Sequence, residues 1–375
     1  MILKQLSLTN FKNIEAATLQ FSDKLNCIIG ANGMGKTNLL ESIYYLSFTR
    51  TNQYLPESML ILHGAEVAVV DGEYEMYDKR EQLYIGIKLG KSKVLKRNKK
   101  EYSKMSDHIG IFPLVMIAPS DIDLIRGGSL ERRNFMDQII CQEYRPYLTA
   151  AQSYKSLLEQ RNAMLKNSFG LDLSLLEILN HQMAEQAESI MKYRKEWLER
   201  ITPIFLKYYH FISDSNDAVS LHYLPSFEAL NGYSKEDFIN VWEASLQKDL
   251  ALGYTSLGPH RDDLEMLIGD VLIRKIGSQG QNKSFMIALK LAQYELLRNL
   301  HPNNYPILLL DDVFDKLDEK RVERIVQLVS GADFGQIFMT DTNRKYLDQI
   351  LQRIDQDAYS IFYAQDGSFE TLTEE

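Results

Sequence analysis

The sequence has few of the features that mark secreted, membrane-spanning or disordered proteins. Its 375 residues include two cysteines, Cys27 and Cys141, which excludes a disulfide scaffold and a four-cysteine zinc site and fits a reducing cytoplasm. The longest apolar runs, at 114–118 and 307–310, have the length of strands, whereas a membrane span needs about 20 residues. No basic segment followed by an apolar stretch opens the chain, so no signal peptide is predicted. With 45% apolar and 25% charged residues, the composition indicates an ordinary globular protein.

The net charge of −9 is unevenly distributed along the chain. Residues 88–166 carry 15 Lys and Arg against 8 Asp and Glu, whereas residues 311–375 carry 7 against 15. This segregation is compatible with a nucleic-acid surface on an acidic protein, and equally with a solvated lysine-rich hairpin. The candidate DNA contacts are basic side chains crowded into one short stretch: Lys91, Lys93, Lys96, Arg97, Lys99 and Lys100.

The hydrophobic pattern predicts strands near both ends of the chain and helices in its middle. Strands are predicted at 2–8, 17–21, 25–29, 67–70, 83–87, 114–117, 220–224, 307–310 and 336–339, with Gly90 in a hairpin turn. Helices are predicted at 36–46, 283–300 and 320–329, and helix formers dominate 129–206, with breaks near 167–170 and at Pro203. This order predicts an α/β core assembled from 1–128 and 251–375, with a helical lobe inserted at 129–250.

Residues 30–37 match the phosphate-binding pattern G-x-x-x-x-G-K-[ST]. The matching residues are Gly30, Ala31, Asn32, Gly33, Met34, Gly35, Lys36 and Thr37. An apolar strand precedes the pattern and an amphipathic helix follows it, so that backbone N–H groups and the helix amino terminus can face phosphate oxygens. We expect Lys36 to reach the β and γ phosphates of ATP and the Thr37 hydroxyl to ligate Mg²⁺.

Two carboxylates, Asp311 and Asp312, follow the apolar run at 307–310. In a buried parallel strand this position is the carboxyl end, where α/β proteins carry functional groups. We expect Asp311 to hold the hydration shell of Mg²⁺ and Asp312 to orient or deprotonate the attacking water. Two such aspartates can also begin a loop or cap a helix, and it is the phosphate motif that favours the catalytic interpretation.

Another turn, Ser278-Gln279-Gly280-Gln281, stands just before a predicted helix. A serine helix cap with glycine beside it offers a second cradle for an anion, although such a turn is more often a plain loop. One phosphate motif needs no second cradle. The turn therefore predicts that two copies of the chain face each other, each offering it to the nucleotide bound by the other.

Short stretches spread over nearly the whole chain resemble the ABC-type ATPases of the SMC class and occur in the order of that class. They are Leu8-Thr-Asn-Phe-Lys-Asn13, Asn32-Gly-Met-Gly-Lys-Thr37, Pro119-Ser-Asp121, Gly127-Gly-Ser-Leu-Glu-Arg-Arg133, Gln160-Arg-Asn162, Gly258-Pro-His-Arg-Asp-Asp263 and Gly277-Ser-Gln-Gly-Gln281. The last two stretches are the most specific of the set.

This resemblance implies an α/β ATPase head with a mixed sheet, a helical second lobe, and a dimer that closes around two ATP molecules with Ser278–Gln281 acting in trans. In the bacterial recombination-mediator branch of the class, slow ATP hydrolysis times the opening of the dimer. The ATP-loaded protein of that branch binds duplex DNA and single-strand/duplex junctions and acts with RecO and RecR to load RecA at gaps. The alternatives are another SMC-like ATPase, or an ATPase-driven nuclease subunit acting on DNA.

The chain also departs from the class pattern. Asp315 and Lys316 stand where relatives usually carry serine or alanine and then glutamate, which leaves the role of Asp315 open. Thr340 stands where transporter relatives carry a switch histidine, and this implies weak turnover. Asp312 replaces a glutamate found in many relatives, with a shorter reach toward water.

Two further groups of residues have competing interpretations. His260 with Asp262 and Asp263 has ligand types for a metal, but a loop that positions the following helix or senses the γ-phosphate is favoured. Arg132 and Arg133 either contact DNA phosphate or flank a helix start.

Overall fold

A computed structural model describes residues 1–167, 170–229, 232–315, 317–342 and 359–372. The chain divides into two compact units. The first unit contains Met1–Asp121, Tyr208–Asp214 and the described part of Gln279–Glu375. The second unit contains the described parts of Ile122–Lys207 and Ser215–Ser278, so it extends beyond the expected lobe 129–250 at both ends.

The described strands group into three sheets with the orders β2-β1-β4-β5-β6-β7, β15-β14-β3-β13-β12-β8 and β11-β10-β9. Their bounds are β1 Ile2–Phe11, β2 Ile14–Gln20, β3 Leu25–Ile29, β4 Val67–Met76, β5 Lys79–Lys88, β6 Val94–Arg97, β7 Lys100–Glu101, β8 Leu114–Ile117, β9 Val219–Leu224, β10 Asp263–Ile268, β11 Val271–Leu272, β12 Ile307–Leu310, β13 Ile337–Asp341, β14 Tyr359–Gln365 and β15 Ser368–Leu372. The predicted strands are confirmed, with ends shifted by a few residues, and the predicted turn at Gly90 joins β5 to β6.

The described helices are α1 Lys36–Phe48, α2 Asp123–Arg126, α3 Ser129–Glu143, α4 Arg145–Lys166, α5 Leu173–Ser213, α6 Lys235–Ala244, α7 Leu246–Leu252, α8 Ile273–Ile276, α9 Gln279–Leu300 and α10 Glu319–Val329. The predicted break near 167–170 separates α4 from α5. The predicted break at Pro203 is wrong, because α5 continues through it. Ile201 and Phe205 on either side are fully buried, and this burial outweighs a proline penalty of about 3 kcal/mol. Of the described helices, none combines the length and apolar character needed to cross a bilayer.

The second sheet of the first unit positions the candidate site. β8, β12, β13, β3 and β14 run parallel in that spatial order, and β15 pairs antiparallel to β14 at one edge. The phosphate motif follows β3 and the two aspartates follow β12, while β13 lies between these strands. Since all three are parallel, their carboxyl ends meet at one edge of the sheet.

The core of the first unit surrounds α1. Leu39, Ile43 and Leu46 of α1 belong to one buried apolar cluster that also contains Leu6 of the antiparallel sheet and Phe338 of the parallel sheet. Full burial of each such side chain stabilises the fold by roughly 1.5–3 kcal/mol. The helix that carries Lys36 and Thr37 is therefore held by both sheets of this unit.

The second unit contains a small antiparallel sheet that its sequence pattern only partly predicts. β10 pairs with β9 from Asp263 opposite Leu224 to Ile268 opposite Val219. The predicted strand 220–224 is confirmed as β9, whereas β10 and β11 were not predicted. Because this pairing joins distant parts of the chain, residues 251–278 group with the second unit.

Candidate functional site

The phosphate motif forms the turn between β3 and α1, and two of its glycines are required by their surroundings. Gly30 has φ +154°, and a Cβ there would lie 2.5 Å from the carbonyl oxygen of Ala364 in β14. Gly35, at the N-cap of α1, has φ +100°, and a Cβ there would lie 3.2 Å from Oδ1 of Asn13. The turn is thus fitted between β14 and the β1–β2 turn, and it leads into a helix start without acidic residues, where an anion is favoured.

Lys36 is the first residue of α1 and its ammonium group lies against the start of the turn. The side chain is 5% exposed, and its Nζ donates to the carbonyl oxygens of Gly30 at 2.7 Å and Ala31 at 2.9 Å. A cation is therefore held within the loop that the sequence predicts to bind phosphate, with carbonyl partners that a phosphate oxygen can replace.

Asp311, which follows β12, is hydrogen-bonded to one residue of α1, the helix after β3, and to one residue of the neighbouring strand β13. Its Oδ1 accepts hydrogen bonds from the Thr37 hydroxyl at 3.0 Å and from the Thr340 hydroxyl at 2.7 Å. Thr340 belongs to β13, and its hydroxyl also accepts the N–H of Asp312 at 3.0 Å. The structure thus brings Thr37 and Asp311 into contact, and Thr340 joins Asp311 to the backbone of Asp312.

The environment of Asp311 fits a cation. Burial raises its pKa, while the hydroxyls of Thr340 and Thr37 lower it, and Asp312 adds a like charge. Among the described residues, no group of three His, Cys, Asp or Glu could hold a metal unaided. Mg²⁺ does not require one, since it is usually held by one or two protein oxygens together with phosphate oxygens and water. The carboxylate of Asp311 and the hydroxyl of Thr37 are such a donor set.

Asp312 has a backbone conformation that is uncommon for residues other than glycine. Its φ is +44°, in the left-handed region that aspartate and asparagine tolerate better than most side chains. Non-glycine residues in this region cluster at functional sites, where the surrounding structure holds them in place. Here the hydrogen bond from its N–H to Thr340 provides that restraint.

The sequence did not identify the residues that enclose the phosphate turn from other strands. Asn13 accepts a hydrogen bond from the Asn38 side chain at 2.7 Å, and the N–H of Gly367, in the β14–β15 turn, donates to the carbonyl of Met34 at 3.1 Å. Lys12 forms an ion pair with Glu41, which is buried in α1. Burial lowers the pKa of Lys12, while the charge of Asp311 raises it, so this ammonium lies within electrostatic reach of Asp311. The one sequence signal that could have identified Lys12 is its position in the stretch 8–13, which resembles the SMC-class ATPases.

The signature turn, defined as Ser278–Gln281, stands at a unit boundary. Ser278 is the last residue of the second unit, and Gln279, Gly280 and Gln281 open α9 in the first unit. The helix has 22 residues and no acidic residue in its first turn, so its amino terminus favours an anion. Lys283, which follows that turn, donates to the carbonyl of Asp315, while Lys316 lies outside the described residues.

The structure divides the six candidate DNA contacts into two groups. Lys93 donates to the carbonyl of Thr49 at 2.6 Å and pairs with Glu57, and Arg97 makes a two-bonded pair with Glu81 at 2.8 and 2.9 Å. These two side chains hold the protein itself together. Lys91, Lys99 and Lys100 are exposed, and Lys96 is half-buried with its ammonium 5.8 Å from the ring centre of Tyr84.

The Gly-Pro-His-Arg-Asp-Asp stretch is a structural element of the second unit. His260 contacts the hydroxyl of Tyr154 through Nδ1 at 2.7 Å and the carbonyl of Thr255 through Nε2 at 3.0 Å. Burial lowers its pKa to about 4, so the ring is neutral near pH 7 and both of its nitrogens are engaged. That geometry disfavours the metal interpretation.

Arg132 and Arg133 are used in the same network. Arg132 binds the Asp263 carboxylate through two hydrogen bonds of 2.7 and 2.9 Å, and Arg133 donates to the carbonyl of Asp262 at 2.6 Å. Of the two interpretations that the sequence left open for these arginines, the geometry favours a structural role at the start of α3.

Known proteins are similar to this chain over its full length. Residues 2–368 match the family model for the RecF/RecN/SMC N terminal domain. A protein of Parabacteroides distasonis named DNA replication and repair protein RecF is 48% identical over 374 residues, covering 100% of both chains. A protein of the same name from Porphyromonas gingivalis is 49% identical over 369 residues, covering 98% of this chain and 99% of its own. A solved structure of the recombination mediator protein RecF with ATP in the RecFOR pathway has a TM-score of 0.88 at 30% identity, covering 99% of this chain and 98% of that one.

Proposed function

Because the chain belongs to the RecF family, within the RecF/RecN/SMC N-terminal domain proteins, we propose that it is an ATP-dependent DNA-binding protein of replication and recombinational repair. The observation that carries this proposal is the junction of Thr37, Asp311 and Thr340 at the carboxyl edge of one parallel sheet. If the match to the phosphate motif were a coincidence, a contact between this turn and a buried aspartate that follows another strand would not be expected. We place the activity in the cytoplasm.

In this proposal the chain's own residues bind and orient the nucleotide. Residues 30–35 offer backbone N–H groups to the phosphates, and Lys36 exchanges its carbonyl partners for β- and γ-phosphate oxygens. Thr37 and Asp311 hold Mg²⁺, which neutralises phosphate charge when it is bound. Burial raises the pKa of Asp311, and a Mg²⁺ ion held there would favour its carboxylate form.

Asp312 and Thr340 are the residues that we assign to water and to slow turnover. Asp312 is held by its backbone and leaves its carboxylate available to orient a water molecule. Thr340 is 1% exposed and already bonded to both aspartates, so it fixes their positions. A neutral hydroxyl that is committed in this way cannot act as a proton carrier, which agrees with hydrolysis that serves as a timer.

The dimer, the DNA and the protein partners complete the proposal. Two copies close around two ATP molecules, and the signature turn of each copy contacts the γ-phosphate bound by the other. The closed dimer presents Lys91, Lys96, Lys99 and Lys100 to DNA near single-strand gaps. The similar solved structure is of a protein in the RecFOR pathway. We propose RecO and RecR as the partners of this chain in loading RecA.

The test is the mass of the protein in solution, measured by light scattering with and without ATP and Mg²⁺. We expect the unaltered protein to become a dimer, Lys36→Ala to lose ATP binding, and Ser278→Arg to bind ATP yet remain a monomer. Asp312→Asn should bind ATP and stay dimeric for longer, because asparagine tolerates the left-handed backbone but cannot accept a proton from water.

Two results would contradict the proposal. If the unaltered protein stays a monomer with saturating ATP and Mg²⁺, with and without a gapped duplex, nucleotide-driven dimerisation is wrong. If Ser278→Arg dimerises as well as the unaltered protein, the signature turn does not act in trans.

A further inference from the structure

The start of α9 contacts the start of α10 through Gly280 and Arg321. A Cβ on Gly280 would lie 2.3 Å from Nη1 of Arg321 and 3.2 Å from its Cζ. Gly280 belongs to a helix and does not have the positive φ at which glycine is needed for its backbone. The guanidinium group of Arg321 therefore occupies the space that a side chain at position 280 would fill, and any such side chain would displace it.

Arg321 is fixed in this place by the residue that caps its own helix. Asp318 accepts the backbone N–H of Arg321 at 3.0 Å through Oδ1 and its Nη1 at 2.8 Å through Oδ2. The Nε–H of Arg321 is buried and has no hydrogen-bond partner among the described residues. A guanidinium group has five N–H donors, so Arg321 retains donors beyond the one at Nη1 that Asp318 uses.

A second contact joins the same two segments. Lys283, two residues after the signature turn, donates to the carbonyl of Asp315. Asp315 lies between Asp312 and the helix cap Asp318, in the loop between β12 and α10. The beginning of α9 is thus attached to this loop at Lys283 and to the helix after the loop at Gly280.

These contacts connect two segments that are proposed to contact different ATP molecules. Asp312 belongs to the pocket of the chain's own ATP, whereas the signature turn is offered to the ATP of the partner. We infer that Arg321 is a positioning residue that holds the signature turn against the loop after Asp312, so that one pocket and the surface it presents to the other copy move as one body. The inference rests on the proposed function, because it gives the signature turn a target.

The test compares arginine variants of α10 in ATP-driven dimerisation. Arg321→Ala removes the guanidinium group but keeps the backbone N–H that Asp318 caps. We expect dimerisation to weaken roughly tenfold or more, while the affinity of the monomer for ATP stays unchanged, because no residue of the phosphate turn is altered. The control is Arg324→Ala on the same helix, whose side chain is 24% exposed against 23% for Arg321 and pairs with Asp214. It should dimerise normally.

A double variant distinguishes positioning from general damage. Gly280→Ala places a methyl group against the guanidinium group and should also weaken dimerisation. Gly280→Ala and Arg321→Ala both remove the same contact, so the double variant Gly280→Ala/Arg321→Ala should dimerise about as weakly as the weaker of the two single variants, whereas two independent defects would add. Thermal denaturation without nucleotide checks that each variant is folded.

The outcomes separate this inference from the proposed function. If the unaltered protein dimerises and Ser278→Arg does not, but Arg321→Ala dimerises normally or the defects of the two single variants add in the double variant, only the role of Arg321 is wrong. If the unaltered protein never dimerises, or Ser278→Arg dimerises fully, the proposed function fails and this inference fails with it.

Discussion

Asp311 is a carboxylate that the nucleotide-free fold holds at an energetic cost. Burial raises its pKa, and the two threonine hydroxyls oppose this effect only in part. The unfolded chain loses this proton near the ordinary aspartate value of 3.8, whereas the folded chain loses it at a higher pH. As the pH rises between these two values, the folded state loses stability relative to the unfolded state, and it does not regain that stability at higher pH.

This cost predicts an unusual response to Asp311→Asn. Asparagine keeps the oxygen that accepts from Thr37 and Thr340 but removes the buried charge. We expect the free energy of unfolding of the nucleotide-free protein near neutral pH to stay equal or rise. The added stability that ATP gives in the presence of Mg²⁺ should disappear, because the metal loses its carboxylate. Thermal denaturation with and without Mg²⁺ and ATP measures both effects.

Asp121 supplies the matched control for Asp311→Asn. It is also a buried aspartate of the first unit, but it pairs with Lys290 at 2.7 Å. Asp121→Asn leaves a buried ammonium without its carboxylate, so unfolding should become easier by ~3 kcal/mol. If Asp311→Asn destabilises the nucleotide-free protein as strongly as Asp121→Asn, the account of Asp311 as a strained cation ligand is wrong.

Helix α1 depends on another element for the charge at its end. It has no basic residue in its last turn, and Thr49 closes it with φ +55°. Lys93, from the turn between β5 and β6, brings its ammonium to the Thr49 carbonyl and forms an ion pair with Glu57. A cation at this end of a helix is favourable, so Lys93, one of the six candidate DNA contacts, stabilises the helix that follows the phosphate turn.

Lys93 and Lys91 are therefore expected to respond differently to the same substitution. Lys93→Gln should lower the free energy of unfolding by about 1 kcal/mol, because it removes a helix-end charge and a partly exposed ion pair. Lys91→Gln should leave stability unchanged but reduce the salt slope of DNA binding by about one counterion. Denaturation and DNA titration at several salt concentrations measure the two effects. A salt slope that Lys91→Gln does not alter would move the DNA surface away from this hairpin.

In the molecule as a whole, buried neutral histidines in both units predict a loss of stability in acid. Burial lowers the pKa of His108 in the first unit and His260 in the second to about 4. The Nε2 of His108 lies 2.6 Å from the carbonyl oxygen of Leu46, and although this contact raises the pKa, burial outweighs it. Below the unfolded value of 6.5, the unfolded chain binds protons that the folded chain does not. Stability must therefore fall as the pH falls from 6.5 toward 4.

The contribution of one histidine can be isolated by substitution. From about pH 7.5 to about pH 5.5, His108 alone should account for about 1 kcal/mol of lost stability. His108→Gln should therefore show a smaller change over this interval than the unaltered protein, whatever its stability at the higher pH. Replacing the exposed His63 should leave the change intact. Denaturant unfolding at both pH values measures this, and equal losses in the two variants would contradict the assignment.

The chemistry that the sequence identified by itself is local. Three signals each occupy only a few consecutive residues: the glycine spacing of the phosphate turn, the apolar run before Asp311 and the serine before α9. They are local because backbone geometry and strand or helix periodicity determine them. The type of nearly every predicted element was therefore available from the sequence. Pro203 failed as a signal because burial on both sides of it exceeded its local penalty.

The tertiary structure alone decided how the residues of the site are joined. Thr37 and Asp311 are 274 residues apart, and Thr340 joins them because β13 lies between β3 and β12, an order that no local pattern encodes. The same holds for Lys93 at the end of α1, for Arg321 against Gly280, and for β10, which draws residues 251–278 into the second unit. These contacts form only when distant segments of the chain pair with one another. The free energy of that pairing depends on the whole fold, so no single stretch of sequence predicts it.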